Sequence, residues 1–440
     1  MGKSTKTMTV TMTALALFGL SATSSFAREN VIADPNAKVD YSGTVSILTK
    51  FGLQQLSPYF ADIAKEYEKL HPDVTVKLIQ ETDDSVKDKT KALVATNSLP
   101  DIYFSWTGSW GGNFIRGKRA VDLTPVIAPD TDWGGKMTPA AVKAFIYNGK
   151  YYGIPLYLDA KFMGYNKKIF ADLGLKKPDN FEDFLKSCDV IRQSGITPVS
   201  IGNKEAWPLV HYVGQLLAYN VPQETLEQDF DPDTAKYDNP GYVLALEQFK
   251  QFEDRCTEGA EMNGTSYRSA LQALTDAKSA MYYQEIIEFD QSTGADSQLK
   301  TGDFGFFPLP APENATGDPH AIEGAPEGYM INTEAENIPL AIDFMKFVTT
   351  REHGKILSAP PYGQPSAVIG GADASMMNPS VVEGMAEIEK ASYLMPWLDT
   401  VNHPRVAAAW LSSLQALAGG SMTPQDVMGT VREASKAVAK

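Results

Sequence analysis

Residues 112–118 run Gly112-Asn113-Phe114-Ile115-Arg116-Gly117-Lys118, the spacing of a loop whose backbone N–H groups cradle phosphates and whose next Ser or Thr takes magnesium. Arg119 stands at that next position and no buried strand leads directly into Gly112, so phosphate binding is not expected. Ser297 to Lys300 gives an SxxK and Lys300 to Gly302 a KTG. In penicillin-recognising enzymes these are separate elements, so one lysine serving both marks coincidence. There is no GxSxG and no HExxH, and His71, His211, His320, His353 and His403 lie far apart. Nucleophile-elbow hydrolases and zincins therefore fall away. Convergent carboxylates of a glycosidase stay open, because any two of the 54 acids could meet in space. The pairs Tyr151-Tyr152 and Tyr282-Tyr283 offer phenolate oxygens to a ferric ion. Strand alternation, with one ring to the core and the other to solvent or a cleft, is the favoured account.

Four tryptophans carry more information. Trp106 and Trp110 follow an apolar strand, Trp207 precedes Pro208 at a helix start, and Trp397 lies in MPWLD. Most tryptophans are core, but strand ends and helix starts are where an open α/β fold presents its cleft. Aromatic faces with a few polar groups suit sugar rings, whose C–H faces are apolar and whose edges carry hydroxyls.

The elements that must position these residues follow from periodicity. TVSILT at 44–49, VTVKLI at 74–79 and DIYF at 101–104 read as buried strands. Between them, Phe60, Ile63, Ala64, Tyr67 and Leu70 recur at helical spacing after Ser57-Pro58, and a second helix runs from about Ser85 to Thr96. Alternating strands and helices predict a parallel sheet with its ligand beyond the strands' carboxyl ends. Those ends are Lys50-Phe51, Gln80 to Thr82, and Ser105-Trp106. Further helices are expected over 181–193, 207–219, 243–256, 267–278 and 338–350, with strands at 280–283, 304–310 and 328–332 and a proline-rich crossing at 360–367.

The chain has 440 residues, 43% of them hydrophobic, and a formal charge of -15. That is a globular composition sufficient for two or three domains. The acidic balance disfavours nucleic acid and anionic lipid. Residues 1–27 combine Lys3 and Lys6, an apolar stretch from Val10 to Leu20 and the site Ser25-Phe26-Ala27. This reads as a cleavable signal peptide, too short to span a bilayer core that needs about 20 residues. The first cysteine is Cys188, so no lipid-acceptor cysteine follows the apolar stretch, and release into a periplasm is expected. Cys188 and Cys256 are the two cysteines; an oxidising compartment permits a disulfide, while Cys188 four residues after Phe184 also suits the core face of a helix. Without CxxC spacing, thiol-ligated metal is excluded.

FADIAKEYEKLHPDVTVKL (60–78), LPDIYF (99–104), DLTPVI (122–127) and NGKYYGIPLYLDAKFMGYNKKIFADLGLKKPDNFEDFL (148–185) resemble the family 1 extracellular solute-binding proteins of carbohydrate ABC importers, relatives of maltose-binding protein. AKSAMYY (277–283), GYMIN, IPLAIDFMKFVTTREH (338–353) and LAGGSMTPQDVM (417–428) continue in family order. The resemblance implies an α/β fold of two discontinuous lobes joined by hinge strands and closing on a ligand. Residues 43–156 plus 303–360 would form the first lobe and residues 157–302 plus 361–440 the second, with crossings near FGFFPLP and PPYGQPSA. It also implies a monomeric carrier without a cofactor and without covalent chemistry, which delivers a carbohydrate to membrane permease subunits. Ligand contacts would come from Lys50, Trp106, Tyr157, Asp159, Trp207 and Trp397. Where the family has a Gly-x-Trp-like turn this chain has Gln284-Glu285, leaving both as polar candidates. Gly324 would let backbone amides approach the ligand. The same fold carrying a polyamine or ferric ion is the nearest alternative, and a secreted glycosidase the more distant one.

Overall fold

The computed structural model describes Gly2, residues 30–286, Glu288 and residues 297–439. The expected signal peptide, Gly2 apart, lies outside the described residues, as do Arg28, Glu29 and Ile287. No helix among the described residues is long and apolar enough to cross a membrane.

Eleven strands are described: β1 (Gly43–Thr49), β2 (Val74–Gln80), β3 (Ile102–Ser105), β4 (Ile146–Tyr147), β5 (Lys150–Tyr151), β6 (Gly153–Asn166), β7 (Thr197–Val199), β8 (Ser279–Glu285), β9 (Phe304–Phe307), β10 (Ile322–Ile331) and β11 (Leu394–Met395). β4 and β5 form a separate hairpin; the others make one continuous path, β2-β1-β3-β10-β6-β8-β7, with β9 also on β6 and β11 on β10. β1 is parallel to β2 and β3, as the strand-helix alternation predicts. β10 inserts antiparallel between β3 and β6.

β6 holds the molecule together. Its 14 residues are too long for one small sheet. Gly153 to Ala160 pair with β10, and Lys161 to Asn166 pair with β8 and β9. β10 divides likewise, its first two residues pairing with β11 and the rest with β6 and β3. The expected crossing near FGFFPLP is thus displaced: β9 lies against the second half of β6, and β10 is the strand that runs between the two strand groups. β10 begins six residues before GYMIN and lies close to β6 at Gly324, where a Cβ would stand 2.8 Å from the Asp159 carbonyl oxygen. The proline-rich segment also runs beside β6, with the Leu158 N–H bonded to the Pro365 carbonyl and the Ala367 N–H to the Leu156 carbonyl.

Two apolar cores flank this path. One gathers Ile47, Leu48, Phe60, Tyr103, Tyr329 and Phe344; the other gathers Met163, Phe184, Leu209, Phe249 and Trp410. The helices expected over 181–193 and 338–350 form as Phe181–Gln193, where the Asn180 side chain accepts the Asp183 N–H, and as Ile338–Val348. Cys188 and Cys256 are both fully buried and form a disulfide joining Phe181–Gln193 to Pro240–Cys256. The core-face position and the disulfide are therefore both realised. Tyr282 and Tyr283 are buried in different cores, bonded to the Tyr267 carbonyl and to Gln215; alternation turns them to opposite faces, but a second core takes the ring expected at solvent or a cleft.

Candidate functional site

A cleft of about 320 Å3 opens between the two halves and is lined by Trp106, Trp207 and Trp397 together with Asp83, Lys87, Glu285, Glu327 and Asp399. A larger hollow of about 680 Å3 lies elsewhere, against Trp133, Lys346 and Arg351. It is not at the strands' carboxyl ends, and its tryptophan turns inward to bond Thr349. The first cleft is the one the fold builds.

On one side stand the ends of the parallel strands. Lys50 directly follows β1, and its Nζ lies 2.5 Å from Glu327 Oε2 and 3.2 Å from Asp83 Oδ1. Trp106 follows β3 and donates its indole N–H to Glu327 Oε1 at 2.8 Å. Tyr157 donates its hydroxyl to Glu327 Oε2 at 2.5 Å. Asp83 opens the helix Asp83–Ala95, and Lys87 one turn later shares its face. Lys87 Nζ sits 4.7 Å from the Trp106 ring centroid and 2.5 Å from Asp399 Oδ2.

On the other side, Trp207 begins the helix Trp207–Asn220 after Ala206, whose φ is +65°. A left-handed alanine costs about 1 kcal/mol or more, a strain typical of functional sites. Lys161 Nζ lies 5.4 Å from the Trp207 ring and 5.0 Å from the Trp397 ring. It also bonds the Gln284 side-chain oxygen and, at 3.0 Å, Glu285 Oε1. Behind the tryptophans His211 touches both rings edge-on and pairs its Nδ1 with Glu323 Oε1 at 3.0 Å.

Of the nine expected site residues, Trp106, Trp207, Glu285 and Trp397 line this cleft, and Lys50 and Tyr157 are bonded to its Glu327. Asp159 is fully buried and accepts the Ala160 N–H through Oδ1. Gln284 is buried and orients Lys161. At Gly324 the space left by the missing side chain is taken by β6, where a Cβ would meet the Asp159 carbonyl oxygen and Ala160.

Sequence reasoning missed Lys87, Lys161, Glu327 and Asp399. Lys161 carried a signal, since Tyr157, Asp159 and Lys161 alternate along one strand and share a face. Glu327 carried another, as an acid in a strand whose ten residues are all buried, where a charge demands a partner. Lys87 and Asp399 are 312 residues apart and meet only in the folded chain.

Burial opposes charge on Lys50, but the carboxylates of Asp83 and Glu327 outweigh it and hold the ammonium well above its usual range. Lys161 is raised in the same way, chiefly by Glu285 against burial. Burial pushes the Asp159 carboxyl well up, reinforced by Glu285 and Glu327. Burial, then Glu285 and Asp83, push Glu288 up to about 8. His211 is driven well below its usual range by burial and then by Lys161. The cleft therefore combines three indole faces with a dense set of oriented polar groups.

Residues 53–355 match the family described as bacterial extracellular solute-binding protein. The chain is similar to the multiple sugar-binding protein of Streptococcus mutans, 22% identical over 307 residues, covering 66% of this chain and 67% of that one. Alignments with further curated relatives span 31% to 49% of those proteins, less than half of each. Among solved structures, one from work on xylan utilization by Caldanaerobius polysaccharolyticus superposes with a TM-score of 0.82 at 20% identity, covering 89% of this chain and 99% of that one. A chitin oligosaccharide binding protein superposes with a TM-score of 0.81 at 20% identity over 90% of this chain and 99% of its own. At these identities the structural likeness establishes the fold, a two-lobed α/β arrangement.

Proposed function

The chain belongs to the bacterial extracellular solute-binding proteins, and on that premise we propose that it captures a sugar or sugar derivative in the tryptophan-lined cleft and delivers it to the permease of an ABC importer. The observation that carries this reading is the opposition of Trp106, on the strand-end side, to Trp207 and Trp397 across one cleft. Indole faces on both sides match the two apolar faces of a pyranose, and the carboxylates and lysines between them match its hydroxyl edge. The multiple sugar-binding and chitin oligosaccharide-binding relatives support the ligand class.

In this reading the lobes change over on β6 at Ala160–Lys161 and on β10 at Glu323–Gly324, and flexing of these strands opens and closes the cleft. Closure removes water from the ligand and strengthens every polar contact made to it. Lys87 and Asp399, brought to 2.5 Å from opposite sides, join the lobes in the closed form. Such a carrier works in the periplasm, reached through the signal peptide, and performs no covalent step. Tyr282 and Tyr283, each turned into a core, do not supply the phenolate pair that a ferric carrier would use.

The reading is tested by the thermal shift of the mature chain, residues 28–440, against mono- and oligosaccharides, sugar acids, polyamines and ferric ion. Ligand at 100 times its Kd adds about 2.7 kcal/mol of stability. A selective rise with one sugar class supports the reading; a rise with ferric ion or polyamine alone replaces it.

A further inference from the structure

One buried carboxylate oxygen on β6 is left without a partner. Asp159 is fully buried, its Oδ1 is satisfied by the Ala160 N–H, and its Oδ2 has no hydrogen-bond partner. On β6 it alternates with Tyr157 and Lys161, so it faces the same side as the Tyr157 hydroxyl on Glu327 and the Lys161 ammonium on Glu285. It also immediately precedes the point where β6 leaves one strand group for the other, so parting of the lobes uncovers it.

The nearby cations are already committed. Lys50 serves Asp83 and Glu327, Lys161 serves Glu285, and Lys87 serves Asp399. Arg268 lies 4.8 Å from the Tyr267 ring and offsets the charge of Glu288. Beside Asp159, the carboxylates of Asp83, Glu285 and Glu288 bring one oxygen each within 4.8 Å of one another. The interior is thus short of positive charge at Asp159, and buried carboxylates are stable only when neutralised or paired.

Resting on the sugar-carrier reading, we infer that the ligand is an amine-bearing sugar whose ammonium group binds Asp159 Oδ2 beside the Asp83, Glu285 and Glu288 cluster. The ammonium supplies the donors that the orphaned oxygen lacks and the direct ion pair that the committed lysines do not make with Asp159, while the ring lies among the tryptophans. A neutral sugar supplies a hydroxyl donor but leaves the charge imbalance in place.

The test is calorimetric titration of the mature chain with glucosamine, galactosamine and their short oligomers, each against its N-acetylated and its neutral hydroxyl counterpart, with spermidine and calcium chloride as further titrants. The expected result is a preference for the free amine of about tenfold or more, the scale of a charged hydrogen bond. Asp159→Asn, close in shape, should abolish that preference, so that each amine and its neutral hydroxyl counterpart bind equally. Because the comparison among ligands needs no variant, it stands even if Asp159→Asn folds poorly. Neutral sugars that bind as tightly as their amines overturn this inference and leave the carrier reading intact. Binding of spermidine or calcium alone overturns both, and the failure of every amine-bearing sugar overturns this inference.

Discussion

Glu327 and Trp106 are joined by an indole N–H bond of 2.8 Å that fixes one aromatic wall of the cleft to the strand running between the lobes. The same carboxylate holds Lys50 and Tyr157, so one buried acid sets a lysine, a phenol and an indole.

Glu327→Ala should therefore cost about 3–5 kcal/mol, because it strands the buried Lys50 ammonium with Asp83 as its remaining carboxylate. Urea denaturation measures it. Glu327→Gln, which keeps an acceptor for Trp106, should cost less; equal losses would mean that the acceptor contributes nothing and that the lost charge accounts for the cost.

Trp207→Ala should weaken sugar binding by about 1–3 kcal/mol, the cost of losing a ring face from the ligand. Circular dichroism should stay unchanged, since Trp207 is only half-buried at the start of its helix. Calorimetry giving unchanged affinity would remove Trp207 from the site.

Reducing Cys188–Cys256 opens a link across 68 residues of sequence, and chain entropy alone sets its contribution at about 4 kcal/mol. The denaturation midpoint should fall in reductant. The double variant Cys188→Ala with Cys256→Ala should fall similarly and become insensitive to reductant.

Glu288 gives a pH signature. Its carboxyl is pushed up to about 8 from an ordinary 4.5 by burial and then by Glu285 and Asp83. The folded state therefore binds the proton more tightly than the unfolded state. Its contribution to stability is fully present below about pH 4.5 and is lost as pH rises to 8. The stability of Glu288→Gln relative to the parent should thus rise across that window. A constant difference between the two melting curves would show that Glu288 titrates normally.

Asp399→Asn removes the ionic link to Lys87 that spans the cleft. Small-angle scattering of the ligand-free variant should give a larger radius of gyration than the parent, and ligand should restore the compact form. An unchanged radius would mean that Lys87 and Asp399 do not hold the lobes together.

Much of the architecture was legible because it is written in short-range patterns. TVSILT, VTVKLI and IPLAIDFMKFV declare their elements through periodicity alone, and the strand-helix alternation sets the parallel β1, β2 and β3. Lys50 and Trp106 were legible for the same reason, since a strand's carboxyl end is a local feature with a known place in an open sheet. Tyr282 and Tyr283 turn to opposite faces as alternation predicts, but both rings enter cores, and Tyr151 and Tyr152 pack against one and the same core.

What the sequence by itself determined is therefore the elements, the family of fold and the set of aromatic and polar residues available to a cleft. Only the tertiary structure decided how those residues are partnered. Lys87 meets Asp399 and Trp106 meets Glu327 over more than 200 residues, and nothing in the neighbourhood of either partner encodes the other. Charge satisfaction in a buried site depends on three-dimensional proximity, because the desolvation cost of Glu327 or Lys161 is met by whichever opposite charge the packing brings near. For the same reason Asp159, an ordinary acid in the linear chain, becomes an unpaired oxygen only after β6 and β10 have closed around it.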